Sequence, residues 1–445
     1  MKVLVVGNGG REHAITWKLL QSQSIEQVVC VPGNGGTASL ERCQNLPLSI
    51  NDFEGIGKFA LENFISLVVV GPELPLAMGI TDYLQSKGLL VFGPTRAGAL
   101  IEASKAWAKA LMQEASVETA QAAVFTEAAP AKAYVEAGKI PIVVKADGLA
   151  AGKGVTVAQS IAEAHSAIDA IFAGEFGNAG KFVLIEECLT GQEVSVLALT
   201  DGLTIRPLLP AQDHKRIGEG DTGENTGGMG VYAPAPLVTP ALMQRIETEV
   251  LQKTLATLQK RGIDYRGVLY AGLMITPEGD FKVLEFNCRF GDPETQVILP
   301  LLETPLGDLM LACARGRLSE LPPLSWKTGA ACCVVAAAGG YPRAYQKGQT
   351  IEGIELAQAL GASVFHAGTQ LIETKSRTQE DSLVPSPQPL APSLVTDGGR
   401  VLGVTGTGEN FESAIALAYA GIAQIKFDSM YYRRDIGHSV LSVKL

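Results

Sequence analysis

A carboxylate and an amide stand close together in the segment Val283-Leu284-Glu285-Phe286-Asn287. Alternate side chains of a strand share a face. A strand here therefore points Glu285 and Asn287 together and turns Leu284 and Phe286 into the core. Two such oxygen donors suit a hard cation such as Mg²⁺, which also takes phosphate oxygens and water. An ordinary polar strand end would carry the same pair. Arg289, Asp292 and Glu294 follow at once in CRFGDPET, however, and that charge density on a Gly/Pro loop favours a site. Cys288 adjoins the pair, but alternation sets it opposite Asn287, as a packing residue. Nothing suits zinc, because His13, His165, His214, His366 and His438 are scattered without ligand spacing.

Two glycine loops could hold phosphate. Residues 148–154, GLAAGKG, fall short of a P-loop. Three residues separate Gly148 from Gly152-Lys153 where four are required, and Gly154 stands where Ser or Thr belongs. Residues 140–157 read as strand, glycine loop, strand, so the loop opens no helix. Its amides can still fold over phosphates. Lys145 just before it is either an exposed edge-strand lysine or a phosphate ligand, and the loop beside it favours the second. The other loop is GNGGREH at 7–13. A dinucleotide fingerprint needs a third glycine where Glu12 stands, and an acid after the second strand, where Pro32 and Gly33 follow. That disfavours an NAD-dependent dehydrogenase. What survives is an anion site at a helix N-terminus with Arg11 as a bidentate partner, or a tight turn with a solvated arginine.

The elements that must position these loops alternate strand and helix. Strands are expected at 3–6, 27–31, 67–70 and 89–92, each ending in a Gly/Pro loop, with a helix at 11–22. That order marks a doubly wound parallel sheet, whose ligands bind at the carboxyl ends of strands. One helix is expected at 97–114, a strand at 182–189, and a helix at 240–260. A hairpin follows with strands at 267–275 and 282–286. Residues 206–236 read as a long irregular stretch of functional character. After residue 324 the chain turns β-rich, with strands at 330–338, 363–369 and 400–405 and a helix at 411–425. Residues 376–395, rich in Pro and Ser, read as a mobile surface loop.

The length of 445 residues suits about three domains. A formal charge of −10 disfavours a nucleic-acid or anionic-membrane binder, which needs a basic footprint. No apolar run is long enough for a membrane span, and the apolar start MKVLVVG is too short for a signal peptide. The cysteines number seven, an odd count, mostly inside apolar runs, which reads as buried reduced thiols of a cytoplasmic protein.

Lys145 before a glycine loop, the strand end Glu186-Glu187-Cys188-Leu189, and the Glu285/Asn287 pair together resemble the ATP-grasp ligases. The likeness sharpens over an ordered set. It comprises GNGGREHA at 7–14, PGNGGT at 32–37, GPE at 71–73, KADGLAAGKGV at 145–155, QDHKR at 212–216, NTGGMG at 225–230, EFNCRFGDPETQ at 285–296 and FHAGT at 365–369. Collinear over nearly the whole chain, these are similar to the phosphoribosylamine–glycine ligase family. The 376–395 loop looks longer than is usual there.

The resemblance implies an α/β multidomain protein. It would have a Rossmann-like N-terminal domain at 1–102, an ATP-grasp unit at 103–324 with a mobile lid at about 121–192, and a small β-rich C-terminal domain at 325–445. It implies ligation of glycine to 5-phosphoribosylamine, with ATP giving ADP and phosphate through a glycyl phosphate, in purine biosynthesis. By resemblance Lys105, Lys145, Gly152, Lys153 and Gly154 would hold ATP phosphates. Glu186, Glu187, Cys188 and Leu189 would bind adenine, largely through the main chain, and Glu193 the ribose. Glu285 and Asn287 would hold Mg²⁺ (or Mn²⁺). Arg289 would stabilise the acyl phosphate or the glycine carboxylate, Asp292 would receive the glycine ammonium, and Asp213 and Lys215 would face the same centre. Gly9, Gly10 and Arg11 would take the 5′-phosphate of the amine, with Asn34, Thr37, Pro72 and Glu73 around its ribose. The expected partners are small molecules, and the expected assembly is a monomer or weak homodimer. A sister ATP-grasp carboxylase, or a nucleotide-binding regulator without chemistry, would share part of this pattern. NTGGMG and CRFGDPETQ oppose the first, and the intact Lys145, Glu285, Asn287 and Arg289 oppose the second.

Overall fold

A computed structural model describes residues 1–149, 154–372 and 392–441. The N-terminal strands form a five-stranded parallel sheet in the order Cys43–Asn45, Gln27–Pro32, Lys2–Gly7, Leu67–Val70, Val91–Phe92. Leu67–Val70 is apolar and buried at every position, as a strand covered on both faces must be. Strand order reverses between Lys2–Gly7 and Leu67–Val70, which opens a crevice at their carboxyl ends. The loops after Gly7 and after Val70 flank that crevice. The edge strand Cys43–Asn45 was not expected, since three residues carry no alternation.

A helix expected at 97–114 is two helices, Arg96–Ala103 and Lys105–Glu114. Ser104 breaks it in an extended conformation, and its hydroxyl caps the second helix at Trp107 N. The following segment folds as an antiparallel sheet in the order Ala122–Phe125, Val183–Glu187, Ile142–Ala146, Val155–Ala158. Helices Ala128–Ala137 and Ile161–Phe172 cover it. Ala131, Val144, Ile168 and Ile185 belong to a core of its own, separate from the rest of the molecule.

A second antiparallel sheet runs Ile205–Pro207, Gln192–Asp201, Arg266–Ile275, Phe281–Asn287. Its last strand carries a bulge where the register slips between Gly272 and Leu273. The bulge corrects one expectation. Val283 and Phe286 enter the core, and Leu284 is taken up by the irregularity and stays half-buried. Beyond it, Glu285 and Asn287 share a face, as alternation requires. The helix expected at 240–260 is continuous but changes pitch, with a π-helical stretch at Glu247–Gln252.

The C-terminal sheet has the order Gln212–Asp213, Gly230–Ala233, Ala330–Ala337, Arg400–Gly408, Ser363–His366 and is antiparallel throughout. Two of its strands therefore come from the stretch read as irregular. The same stretch also forms the hairpin Arg216–Gly218 with Thr222–Asn225. Such short, glycine-rich strands show no period in the sequence, and partners distant along the chain define them. Residues 393–395, expected in a loop, lie in the strand Ser393–Thr396, which pairs with Thr369–Ile372.

Because the 122–187 unit has its own core, damage there stays local. Ile168→Ala removes a fully buried side chain and costs about 2–5 kcal/mol. Hydrogen exchange should speed up across Ile142–Ala146 and Val183–Glu187 and stay unchanged in Lys2–Gly7. Uniform acceleration in both sheets would contradict a separate core.

Candidate active site

The cleft between the two antiparallel sheets collects cations. Lys145, at the end of its strand, is buried and pairs with Glu186 at 2.6 Å. Lys109 pairs with the other oxygen of Glu186 at 2.8 Å. Lys105 Nζ donates to the carbonyl of Gly148 at 3.0 Å. Burial pulls Lys105 and Lys109 below the ordinary lysine range, and Glu285 and Glu186 respectively oppose it. The start of the glycine loop is fixed by Asp147, which accepts from Ser104 Oγ at 3.0 Å and Ala106 N at 2.7 Å. Gly154 closes the loop, its carbonyl accepting from Ala146 N at 2.8 Å. Gly152 and Lys153 lie outside the described residues.

The strand bearing Glu186 leaves its ladder after Glu187, so the main-chain groups of Cys188 and Leu189 are outside it. The Glu187 side chain is tied to Lys282 at 2.8 Å. Glu193, from the neighbouring sheet, pairs with Lys215 at 2.7 Å, and Lys215 reaches Glu285 at 3.9 Å. One ammonium thus joins the expected ribose ligand to the expected metal ligand. Solvent still reaches the side chains of Glu285 (39%) and Lys215 (35%), although protein surrounds both densely, which describes the floor of a cleft. Burial opposes the charge on Glu285, but Lys215, Lys145, Lys105 and Arg289 together hold its carboxyl below the usual range.

Glu285 and Asn287 fit a cation shared with phosphates. No cluster of three or more His, Cys, Asp or Glu able to hold a metal exists among the described residues. The donors are one ionised carboxylate and one amide oxygen that, among the described residues, accepts a single bond, from Arg289 Nη2 at 3.2 Å. That set is too small for an all-protein cage and is right for Mg²⁺ held jointly with a triphosphate.

Arg289 ties this strand end to the N-terminal sheet. It donates to Glu73 at 3.3 Å, Glu102 at 2.8 Å, Asn287 Oδ1 at 3.2 Å and the Phe290 carbonyl at 3.2 Å. These use most of its five N–H donors. Glu102 also accepts from Cys288 N at 2.8 Å, and burial pushes the Cys288 thiol well up, as suits a packing residue. Glu73 starts a helix directly after Pro72, on the crevice wall. Burial opposes its ionisation, and Arg289 and Arg11 overcome that.

The first loop departs from both pictures drawn from its sequence. Arg11 is neither solvated nor a free fork, since only 7% of it is exposed. Its Nε pairs with Glu12 and its Nη1 donates to the Phe290 carbonyl at 3.1 Å, which leaves Nη2 without a partner among the described residues. Glu12 plugs the crevice. Its carboxylate accepts from Gly9 N at 2.6 Å, and a Cβ on Gly71 would lie 2.0 Å from its Oε1. Gly10 packs on Gln296, whose Nε2 would sit 2.5 Å from an added Cβ. Asn34 and Thr37 spend their polar groups on the loop and on its neighbours in the fold. Asn34 Oδ1 accepts from Gly36 and Thr37 N–H, its Nδ2 donates to the His366 carbonyl at 2.7 Å, and Thr37 Oγ1 donates to Asn45.

At the far end of the cleft, Asp292 accepts from Gln296 Nε2 at 2.8 Å and faces Arg400 at 3.4 Å. Burial opposes its charge, and Arg400 and Arg11 hold its carboxyl low. Asp213 Oδ1 is buried and has no hydrogen-bond partner among the described residues. Burial, then the Glu294 carboxylate, push Asp213 well up. Glu294 in turn accepts from Tyr270 Oη at 2.6 Å and Ser195 Oγ at 3.0 Å. Glu102, Lys109, Glu12 and Arg400 escaped the sequence reading as site residues. Lys109 lies one turn from Lys105 on the same helix, a spacing that could have found it. Glu102 and Arg400 have no local signal and meet Arg289 and Asp292 only in the fold.

The Arg289–Glu102 pair is nearly enclosed, with 17% and 8% of the side chains exposed. Glu102→Gln should lower stability by about 3 kcal/mol in calorimetry, because it removes one of the two carboxylates that neutralise a nearly enclosed cation. Lys347→Ala, at an exposed pair with Asp397, should change it by less than about 1 kcal/mol. Equal effects would contradict the bridging role of Arg289.

Comparisons with known proteins agree with this geometry. The chain matches the models of the phosphoribosylglycinamide synthetase N domain over residues 1–102, its ATP-grasp (A) domain over 103–295 and its C domain over 331–439. It is 72% identical over 442 residues to the phosphoribosylamine–glycine ligase of Nostoc sp., covering 99% of this chain and 100% of the relative. It is 55% identical over 441 residues to that of Synechocystis sp., again covering 99% and 100%. The crystal structure of the phosphoribosylamine–glycine ligase of Thermotoga maritima matches with a TM-score of 0.80 at 35% identity, over 98% of this chain and 100% of that one. This chain belongs to the phosphoribosylglycinamide synthetase family.

Proposed function

We propose that this protein is an ATP-dependent ligase of purine biosynthesis that joins glycine to 5-phosphoribosylamine, giving glycinamide ribonucleotide, ADP and phosphate. The observation that carries the reading is the cleft in which Lys105, Lys145 and Lys215 surround Glu285, with Asn287 beside it, in a chain of this family. Three units divide the work: residues 1–102 for the amine, 103–324 for ATP with a lid at about 121–192, and 325–445 closing the far side.

A glycine carboxylate is a poor electrophile. Its oxygen attacks the γ-phosphorus of ATP, ADP leaves, and a glycyl phosphate forms. The amine nitrogen of phosphoribosylamine then attacks the carbonyl carbon. Phosphate leaves, and the nitrogen's proton passes to phosphate or water. Catalysis of such phosphoryl transfer is mostly positioning and charge stabilisation. Lys105 and Lys145 approach the phosphates from two sides, and Gly152, Lys153 and Gly154 complete their binding. Glu186 acts through its carboxylate, which fixes Lys145 and Lys109. Adenine lies against the main chain of Cys188 and Leu189, and Glu193 takes the ribose. Glu285 and Asn287 would hold Mg²⁺ (or Mn²⁺), which would neutralise charge on the transferring group.

On the acceptor side, the partnerless oxygen of Asp213 offers the glycine ammonium a buried acceptor, and the arriving cation favours its ionised form. Asp292, Lys215 and the remaining N–H of Arg289 face the same centre. The amine's 5′-phosphate takes Arg11 Nη2 and the Gly10 amide at the crevice, beside Gly9, whose own amide is held by Glu12. Glu73 and Pro72 lie by its ribose, and Asn34 and Thr37 shape the wall. We also propose a cytoplasmic monomer or weak homodimer with small-molecule partners alone. No described helix is long and apolar enough to cross a membrane.

Glycine labelled with 18O in its carboxylate tests the chemistry. Label should appear in the released phosphate, as an acyl phosphate demands, and phosphate free of label would contradict it. Glu285→Ala should abolish turnover and keep the wild-type circular dichroism spectrum. Full activity in that variant would remove Glu285 from the metal site.

A further inference from the structure

The C-terminal sheet touches the acceptor side of the cleft through Arg400, the first residue of Arg400–Gly408. The corner before it has no room for side chains. A Cβ on Gly398 would lie 2.8 Å from the Cα of Gly368, and one on Gly399 would lie 2.3 Å from Tyr341 Cδ2. From this corner Arg400 Nη1 donates to the carbonyl of Gly227 and, at 2.7 Å, to that of Asp292. Its Nη2 lies 3.4 Å from Asp292 Oδ1. Tyr341, also from the C-terminal part, accepts from Gly227 N at 3.1 Å. The contacts leave no slack. A Cβ on Gly227 would sit 2.9 Å from Arg400 Cζ, and one on Gly228 would sit 2.7 Å from Asp213 Oδ1. Arg400 therefore grips two loops at once, the 225–230 loop that backs Asp213 and the 291–294 loop that carries Asp292. Among the described residues it makes no bond to Lys105, Lys145, Glu186 or Glu285.

We propose that Arg400 is a positioning residue for the acceptor half of the site, holding the Asp292 carboxylate and the 225–230 loop in register with Asp213, and that Tyr341 supports it. The proposal rests on the ligase reading. A planar guanidinium serves a carbonyl from each loop through Nη1 and faces the Asp292 carboxylate with Nη2, whereas a lysine ammonium is a single point charge that cannot occupy both positions of the fork. A displacement of about 1 Å in such a constellation can cost about 10²-fold in rate.

The test is steady-state kinetics of the full-length chain with Arg400→Met, Arg400→Lys and Tyr341→Phe, varying ATP, glycine and phosphoribosylamine separately, with thermal unfolding in parallel. Arg400→Met should lower kcat by about 10²-fold and raise KM for glycine or phosphoribosylamine, with KM for ATP unchanged. Arg400→Lys should regain part of the loss, and Tyr341→Phe should act in the same direction more weakly. A folded Arg400→Met enzyme with wild-type kcat would overturn the proposal, as would a rise in KM for ATP equal to that for glycine. If Arg400→Met does not fold, the same criterion applied to Arg400→Lys and Tyr341→Phe decides. A wild-type enzyme that shows no turnover dependent on glycine and phosphoribosylamine would instead overturn the ligase reading, and this proposal with it.

Discussion

The guanidinium of Arg289 is the charge on which the arrangement turns. It is nearly enclosed, and its acceptors come from the carboxyl edge of the N-terminal sheet (Glu73), from the helix that leaves that sheet (Glu102) and from its own strand end (Asn287). A buried cation without such partners would carry a desolvation penalty of several kcal/mol. The N-terminal sheet must therefore dock where the strand Phe281–Asn287 ends. That constraint sets the crevice beside the cleft that holds Lys145, Lys215 and Glu285.

The Lys109–Glu186–Lys145 group plays a matching part. Glu186 lies on an inner strand of the four-stranded sheet that includes Ile142–Ala146. It holds Lys145 from the adjacent strand and Lys109 from the helix Lys105–Glu114. Both cations are thus fixed by the protein itself, which is the pre-organisation that electrostatic catalysis needs. The unit with strands from Ala122–Phe125 to Val183–Glu187 keeps its own core and carries both Lys145 and Glu186, so the bond from Glu186 to Lys109 ties that unit to the helix Lys105–Glu114 outside it.

Much of this was legible in the sequence. The parallel N-terminal sheet followed from apolar runs closed by Gly/Pro loops, and the pairing of Glu285 with Asn287 followed from strand alternation. The bulge at Leu284 was not legible, because an inserted residue looks like any other in an apolar run. Nor were the strands Gln212–Asp213 and Gly230–Ala233, which exist only because Ala330–Ala337, far along the chain, supplies their partner. The buried state of Arg11 depends on Glu12 and the Phe290 carbonyl, and the second of these comes from another domain. Long-range partners of this kind are set by topology, and local patterning does not encode them.

The most direct measurement is ADP release by the purified full chain with Mg-ATP, glycine and freshly generated phosphoribosylamine, omitting each in turn. The account requires release only when all are present. Release that persists without glycine, or that follows bicarbonate or formate in its place, would keep the fold and contradict the assigned reaction.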